Sequence, residues 1–285
     1  MDSSLLRTEL LLHWIAVGFY ALSAVLFFVA FVFGKQRLLR PAFALALAGL
    51  AFHTGALGLR WLAAGRVPSY GRYETFSSLV WVAVAVFALL RIVRPELEVL
   101  GALVMPVAFL VIGFAVMASP ELQATPRSFA TYWLVIHVLF AKLTFGTMLL
   151  GTGLAWLGVG RARRLSQPRA TNVAASGWDR LPSAATLDEL SYRFIGLGFL
   201  ALAVMLISGS IWANAAWGSY WGWEPVETWS LIAWLVYGVY LHLRRTYGWR
   251  GQRAAWVALA GFALFLFALW GLGSVFENQH SRYFE

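Results

Sequence analysis

Cysteine is absent from the 285 residues of the chain. The protein itself can therefore supply neither a thiol for a redox step nor a thiolate ligand for a metal ion. Any metal or metal cofactor has to be bound through His, Met, Tyr or carboxylate side chains.

Charged residues are also scarce, at 12% of the chain against 60% hydrophobic residues. A soluble domain of this composition would expose a large apolar area to water. The composition therefore predicts an integral protein of the lipid bilayer. The net charge of +9 does not indicate nucleic-acid binding, because the basic residues lie between apolar runs and not along one soluble face.

Eight apolar runs are long enough to span a bilayer, which predicts an all-α, polytopic membrane protein with residues 1–285 in a single transmembrane domain. The runs fall at 10–33, 41–62, 73–92, 98–118, 131–160, 191–212, 226–244 and 253–275. Fourteen Lys and Arg residues lie in one set of alternate connections and five in the other. The positive-inside rule makes the first set cytoplasmic, so both termini are predicted on the outer side of the cytoplasmic membrane.

Two connections differ from the rest. Residues 161–190 have a basic start and are rich in Ser, Pro and Ala, which is typical of a cytoplasmic loop with little fixed structure. Residues 212–225, on the outer side, contain four Trp and one Tyr within twelve residues. Membrane-interface anchoring needs fewer aromatic side chains than this. We interpret residues 212–225 as a flat aromatic platform for a flat aromatic ligand.

Two of the five histidines are predicted on the same side as this platform. His137 lies about two turns below the outer end of the fifth run, and His280 lies just beyond the outer end of the eighth. Two neutral imidazoles on opposite faces of a porphyrin make a bis-histidine haem site. The sequence therefore predicts a haem held between His137 and His280.

The other histidines allow more than one interpretation. His242 lies about 22 Å along a helix from Glu227, which places it near the cytoplasmic side, and it indicates either a second site or a structural role. His53 lies in the middle of a predicted helix, where ionisable residues are candidates for function or for buried packing. His13 is interpreted as interfacial packing.

Haem propionates are anionic, and an Arg side chain can donate two hydrogen bonds to a carboxylate. Four Arg residues on the predicted outer side are candidates, each either a propionate ligand or a solvated loop charge. They are Arg66, Arg72, Arg127 and Arg282.

The platform sequence resembles a known signature. Residues 217–225 read WGSYWGWEP and are similar to the tryptophan-rich WWD signature of the haem-handling proteins of cytochrome c biogenesis. Glu224 stands where that signature usually has Asp, and Arg66 stands where many relatives have His. Further residues resemble the CcsA (ResC) branch in particular. They are Glu227-Thr228-Trp229, Tyr240-Leu241-His242, Arg60-Trp61, Gly65, Pro68 and Tyr73-Glu74.

The resemblance implies a component of a System II cytochrome c synthase with haem b as its cofactor. It implies that His137 and His280 ligate haem at the outer face and that His242 ligates haem within the membrane, with haem passing from the inner to the outer site. The residues expected to surround the outer haem are Trp217, Trp221, Trp223 and Glu224.

The implied partners are a membrane protein of the CcsB (ResB) type and apocytochrome c. The first would supply the second ligand of the membrane haem, and the second would supply the cysteines that this chain lacks. No residue of this chain need act as a nucleophile, so any haem lyase activity would belong to the complex.

Three other functions stay open at this point. A CcmC-type haem-delivery protein shares the signature but does not complete haem attachment; such proteins are usually shorter, and eight runs together with His242 favour CcsA. A transporter of a non-haem substrate usually has inverted repeats with broken helices near the midplane, and the sequence has no convincing pair. A structural scaffold would leave the clustered tryptophans unexplained.

Overall fold

The computed structural model describes residues 3–122, 131–166 and 177–271, and every regular element in these residues is helical. The short 3₁₀ segments are Gln36–Leu38, Pro95–Leu100 and Gly177–Arg180, and a π turn, Phe267–Gly271, continues the last helix. The α-helices are α1 (Ser3–Val32), α2 (Leu39–Ala64), α3 (Gly71–Val93), α4 (Gly101–Met117), α5 (Tyr132–Leu165), α6 (Ala184–Trp217), α7 (Pro225–Thr246) and α8 (Gln252–Leu266).

Seven of the described helices are long and apolar enough to cross a membrane. The prediction of an all-α, multi-pass membrane protein is therefore confirmed. The predicted run 226–244 is also helical, as α7, but it is not one of the seven, because polar residues, Trp and Tyr dilute its aliphatic side chains. Both ends of the predicted loop 161–190 are helical, since α5 continues to Leu165 and α6 begins at Ala184.

The chain forms two compact units. Unit 1 consists of Met1–Leu122 and Arg161–Ser183, and unit 2 consists of Gln123–Gly160 and Ala184–Glu285. The single transmembrane domain inferred from the sequence stays a prediction.

The core of unit 1 is built on the pairing of α1 with α2, with α3 and α4 packed beside them. Small residues allow the close approach of α1 and α2. A Cβ atom on Gly49 would lie 2.7 Å from the ring of Tyr20, so glycine is needed where this fully buried tyrosine packs. The aromatic rings of Phe27, Phe43 and Phe87 fill the space deeper in the unit.

Unit 1 contains a buried ion cluster at the junction of α2 and α3. The Glu74 carboxylate accepts hydrogen bonds from Arg60 Nε (3.0 Å), Arg66 Nη1 (2.6 Å) and the backbone N–H groups of Ser69 and Tyr70 (2.9 Å each). Arg60 Nη1 also lies 3.5 Å from Glu9 Oε2. Charges that are taken out of water are tolerated when they are paired and hydrogen-bonded in this way. The cluster therefore fixes the turn between α2 and α3.

Unit 2 has a comparable cluster where α6 begins and α7 ends. Arg244 Nη1 lies 2.7 Å from both carboxylate oxygens of Asp188, and the N–H of Gly251 donates to Asp188 Oδ1 at 3.0 Å. Arg244, one of the fourteen basic residues of the predicted cytoplasmic set, is thus buried against a carboxylate. One acidic side chain joins the start of α6 to the end of α7 and to the start of α8.

We expect Glu74→Gln to lower the melting temperature markedly, because it leaves Arg66 without its carboxylate and Arg60 with only the Glu9 carboxylate, 3.5 Å away. Breaking a buried ion pair from one side costs about 3–5 kcal/mol. Thermal unfolding of the purified protein in detergent measures the loss. The matched control is Glu189→Gln, which removes a carboxylate paired with Arg193 in an exposed i,i+4 pair and should cost less than about 1 kcal/mol. Equal losses in the two variants would contradict a structural role for the Glu74 cluster.

Candidate functional site

The candidate site lies in unit 2, where α5 packs against the last turns of α6. His137 of α5 has its Nδ1 atom 2.8 Å from the backbone carbonyl oxygen of Met205 in α6. A carbonyl only accepts hydrogen bonds, so Nδ1 carries the proton and, in the neutral ring, Nε2 carries the lone pair. Histidines that bind metals usually donate their other ring N–H to a carbonyl or carboxylate in this way. The arrangement prepares His137 to act as a ligand through Nε2.

Glycine is required beside this imidazole. A Cβ atom on Gly209 would lie 2.5 Å from His137 Nδ1 and 2.8 Å from Cε1. No side chain larger than hydrogen fits there without displacing the ring. Gly209 therefore lets the imidazole reach the carbonyl of Met205, one helical turn earlier on α6.

A small cavity opens beside His137. Its lining includes the side chains of Trp212, Trp217, Trp221 and Glu227, and its volume is about 40 Å³. That volume is below the range of about 300–1,000 Å³ typical of cofactor pockets, so a haem would require the tryptophan side chains to move apart. The donor chemistry nevertheless fits a haem, because the wall combines one oriented imidazole with aromatic rings.

The tryptophans do not form the flat platform expected from the sequence. The Trp212 ring is nearly parallel to the His137 imidazole, with an interplanar angle of 19° and centroids 6.4 Å apart. Trp217 meets Trp212 at 78°, and Trp221 meets Trp223 at 88°. Indoles favour edge-to-face contacts of this kind. The expectation of one flat surface is therefore wrong, and the rings instead form the walls of a cavity.

Trp221 and Trp223 have different surroundings. The indole N–H of Trp221 is buried and has no hydrogen-bond acceptor among the described residues, although most buried polar groups have a partner. An anionic or carbonyl group of a ligand would satisfy it. Trp223 is 71% exposed, has a positive φ of 56° and does not line the cavity. A positive φ is unusual for so bulky a residue.

The loop that carries these tryptophans is fastened to the start of α7. The α6 helix continues through Trp217, so the turn consists of residues 218–224. Glu227 Oε2 accepts hydrogen bonds from the backbone N–H groups of Gly222 (2.9 Å) and Glu224 (3.2 Å). The Glu224 side chain accepts the N–H of Glu227 in return, which completes a capping box. Glu224, expected near the haem, is thus the N-cap of α7.

The structure places the remaining predicted residues as follows. His242 is exposed near the end of α7, with Thr246 Oγ1 3.4 Å from its Nδ1. His53 is fully buried in unit 1, Arg66 binds Glu74, and Arg72 is exposed in the first turn of α3. His280, Arg127 and Arg282 lie outside the described residues.

Sequence reasoning missed Met205, Gly209 and the capping role of Glu227. The spacing of Glu224 and Glu227 before an apolar run could have indicated the capping box. No sequence signal marks the Met205 carbonyl, because any residue has a backbone carbonyl and the contact depends on how α5 packs against α6.

We expect Glu227→Ala to loosen the turn without unfolding α7. A lost helix cap costs about 1 kcal/mol, so the amides of Gly222 and Glu224 should exchange with deuterium about fivefold faster. Hydrogen exchange read by mass spectrometry on peptides from the turn measures this. Glu189→Ala removes the same charge elsewhere in unit 2 and should leave the turn unchanged. Exchange as slow as in the unaltered protein would show that Glu227 does not hold the loop.

Comparisons with known proteins place this chain in a family. Residues 70–280 match the family model described as cytochrome C assembly protein. A cytochrome c biogenesis protein CcsA from Synechocystis sp. is 32% identical, with 90% of this chain and 91% of that protein covered. A cytochrome c biogenesis protein CcsA from Prochlorococcus marinus is 36% identical, with 88% of this chain and 87% of that protein covered.

A solved structure titled Cytochrome c Heme Lyase CcmF has a similar fold, with a TM-score of 0.66 and 20% sequence identity. The match covers 93% of this chain, which spans 46% of the length of that protein. The family model matches most of the chain, and the CcsA relatives are more than 30% identical over most of both chains, so the protein belongs to the cytochrome c assembly family.

Proposed function

We propose that this chain is the haem-presenting subunit of a cytochrome c synthase. It holds haem b at the outer face of the cytoplasmic membrane while thioether bonds form with apocytochrome c. The observation that carries the proposal is the His137 imidazole, whose Nδ1 is held by the Met205 carbonyl and which lines a cavity together with three tryptophans. The role of the CcsA relatives in cytochrome c biogenesis supports it.

The residues that would hold the haem divide by task. His137 would ligate the iron from one side, and His280 from the other. Trp212, Trp217 and Trp221 would enclose the ring, and the buried N–H of Trp221 would donate a hydrogen bond to a polar group of the ligand. When bound, the haem supplies the vinyl groups to which the cysteine thiols of apocytochrome c add.

The chain contributes positioning and exclusion of water. It has no cysteine and needs no nucleophile, because the reacting groups belong to haem and to apocytochrome c. Holding two reactants in the productive orientation can lower a barrier by about 7–11 kcal/mol. Two features provide this orientation here. One is the fixed tautomer of His137, and the other is the capped turn of residues 218–224, which we call the tryptophan loop.

The orientation in the membrane follows from charge. The tryptophan loop precedes the first turn of α7, and Arg244 and Arg245 lie in the last turn of that helix. The positive-inside rule places the basic end in the cytoplasm. The tryptophan loop and His137 then lie at the outer face, and His242 lies near the cytoplasmic side.

A partner protein is inferred from the position of His242. His242 shares one face of α7 with Leu235 and Val239, which are 51% and 54% exposed. This face points away from the other helices of unit 2, so a haem bound by His242 would take its second ligand from another chain. We assign that chain to the CcsB (ResB) type, and haem would enter there before it reaches the outer site.

Gly209→Ala tests the outer site. The added methyl group would lie 2.5 Å from His137 Nδ1 and should displace the ring. We expect loss of most of the low-spin bis-histidine signal of the outer haem, as measured by electron paramagnetic resonance of the purified complex.

Gly196→Ala on the same helix is the matched control, since a Cβ there meets nothing within 4 Å, and its signal should be unchanged. Alanine favours a helix over glycine by about 1 kcal/mol, so weakened helix formation does not explain a loss. An unaltered signal in Gly209→Ala would contradict ligation by His137.

Coexpression distinguishes covalent haem attachment from haem delivery alone. With a CcsB-type partner and an apocytochrome, the chain should produce covalently attached haem, scored on a denaturing gel. His137→Ala and His242→Ala should each abolish most of it, while Glu189→Ala should not. If the unaltered chain binds haem but never yields covalent cytochrome, a CcmC-type delivery function replaces the proposal.

A further inference from the structure

Unit 1 contains a cluster of ionisable and hydroxyl side chains that haem presentation does not use. We call it the histidine cluster. It lies between α1, α2 and α3, next to the Arg60–Glu74 ion pair, and every member is almost fully buried. Its members are Glu9, His13, Tyr20, His53, Tyr73 and Ser77.

His13 is the unusual member of this cluster. It is 1% exposed, and neither ring nitrogen has a hydrogen-bond partner among the described residues. The same is true of Glu9 Oε2, one helical turn away on α1, although the Arg60 guanidinium lies 3.5 Å from it. Unsatisfied polar atoms inside a membrane protein are costly and mark a bound water, an ion or a proton pathway. The packing alone does not account for His13.

His53 stands between two hydroxyl groups. Its Nε2 lies 2.8 Å from Ser77 Oγ, and its Nδ1 lies 3.3 Å from the Tyr20 hydroxyl. A hydroxyl both donates and accepts a hydrogen bond, and an imidazole can take a proton at one nitrogen and release one from the other. The arrangement of hydroxyl, imidazole and hydroxyl can therefore pass a proton without retaining a charge.

A row of closely spaced polar side chains runs from His53 to the end of the unit where Arg66 lies. The His13 ring is 5.5 Å from the His53 ring and 5.0 Å from the Tyr73 ring, centroid to centroid. The Tyr73 hydroxyl donates to Glu9 Oε1 at 2.7 Å. Beyond Glu9, the ion cluster ends at Arg66, whose side chain is 21% exposed.

The row reaches deep into the membrane. Tyr20 lies eleven positions after Glu9 on α1, which corresponds to about 16 Å of helix. The hydrocarbon core of a bilayer is about 30 Å thick. The cluster thus connects one end of unit 1 with the region of the bilayer midplane.

We propose that the histidine cluster is a buried proton relay, in which water bound at His13 passes protons between the Glu9–Tyr73 pair and His53. Each transfer breaks one O–H or N–H bond and forms another, and no electrons move. The ligands of this site are water and a proton. The inference is independent of the haem proposal, because every residue in it belongs to unit 1.

Three helices contribute titratable groups around His13. The titratable groups are Glu9 and Tyr20 on α1, His53 and Arg60 on α2, and Tyr73 and Glu74 on α3; α4, which also packs against α1, has none. Glu9 and Glu74 balance Arg60 and Arg66. The histidines therefore lie in a neutral surrounding, and a transferred proton is the only change of charge.

Proton exchange at the His53 ring tests the relay. The full chain is prepared in lipid nanodiscs with ¹⁵N-labelled histidine, and solid-state NMR follows exchange of ring protons with D₂O. His53→Asn and His13→Asn assign the two signals. We expect Tyr73→Phe, which removes the hydroxyl on the Glu9 side, to slow His53 exchange about tenfold, the effect of losing one hydrogen-bonded step.

Tyr237→Phe is the matched control. It removes the hydroxyl of a fully buried tyrosine in unit 2, outside the histidine cluster, so His53 exchange should stay within about twofold of the unaltered protein. Equal exchange in the two tyrosine variants, or no exchange in the unaltered protein, would overturn the proposal.

His13→Leu separates a relay from simple packing. If His13 only fills space, an apolar side chain of similar size should leave His53 exchange unchanged. The relay predicts slowed exchange in a protein whose thermal unfolding shows it to be folded. If this variant does not fold, the comparison of Tyr73→Phe with Tyr237→Phe still decides.

Discussion

The hydrogen bond from His137 Nδ1 to the Met205 carbonyl is the interaction on which the candidate site depends. It fixes which ring nitrogen can bind a metal, and it requires glycine at position 209, where the imidazole packs against α6. The backbone carbonyl of a membrane-spanning helix has few partners to exchange with, because lipid offers none. The His137 imidazole, the proposed haem ligand, is therefore oriented by helices and not by a loop, which favours precise placement of a cofactor.

In each unit, paired buried charges stabilise the ends of the helices. In unit 1, Glu74 satisfies two arginines and two backbone amides, and in unit 2, Asp188 joins Arg244 to the start of α8. The capping box of Glu224 and Glu227 does the same for the tryptophan loop at lower cost. Carboxylates therefore fix the connections, while apolar surface faces the lipid. The histidine cluster differs because two of its members, His13 and Glu9, have polar atoms with no hydrogen-bond partner in the part of the chain that the structure describes.

The helical architecture could be predicted because runs of about 20 apolar residues have one stable solution in a bilayer. All eight predicted runs correspond to helices, although α7 is less apolar than the sequence reading assumed. The position of His137 beside the tryptophans could be inferred from depth alone. The Met205 carbonyl, the glycine beneath the imidazole and the perpendicular indoles could not, because they depend on how side chains interlock between helices. The sequence alone allows Arg66 as a ligand for propionates, but in the structure its guanidinium donates to the carboxylate of Glu74, eight residues later in the chain.

A cryo-EM map of the haem-loaded complex with its membrane partner tests the central claim most directly. The account predicts that density joins the iron to Nε2 of His137 while Nδ1 stays within hydrogen-bond distance of the Met205 carbonyl, with the indoles of Trp217 and Trp221 displaced to admit the ring. Iron bound at a site remote from His137, or an imidazole rotated so that Nδ1 meets the iron, would contradict it.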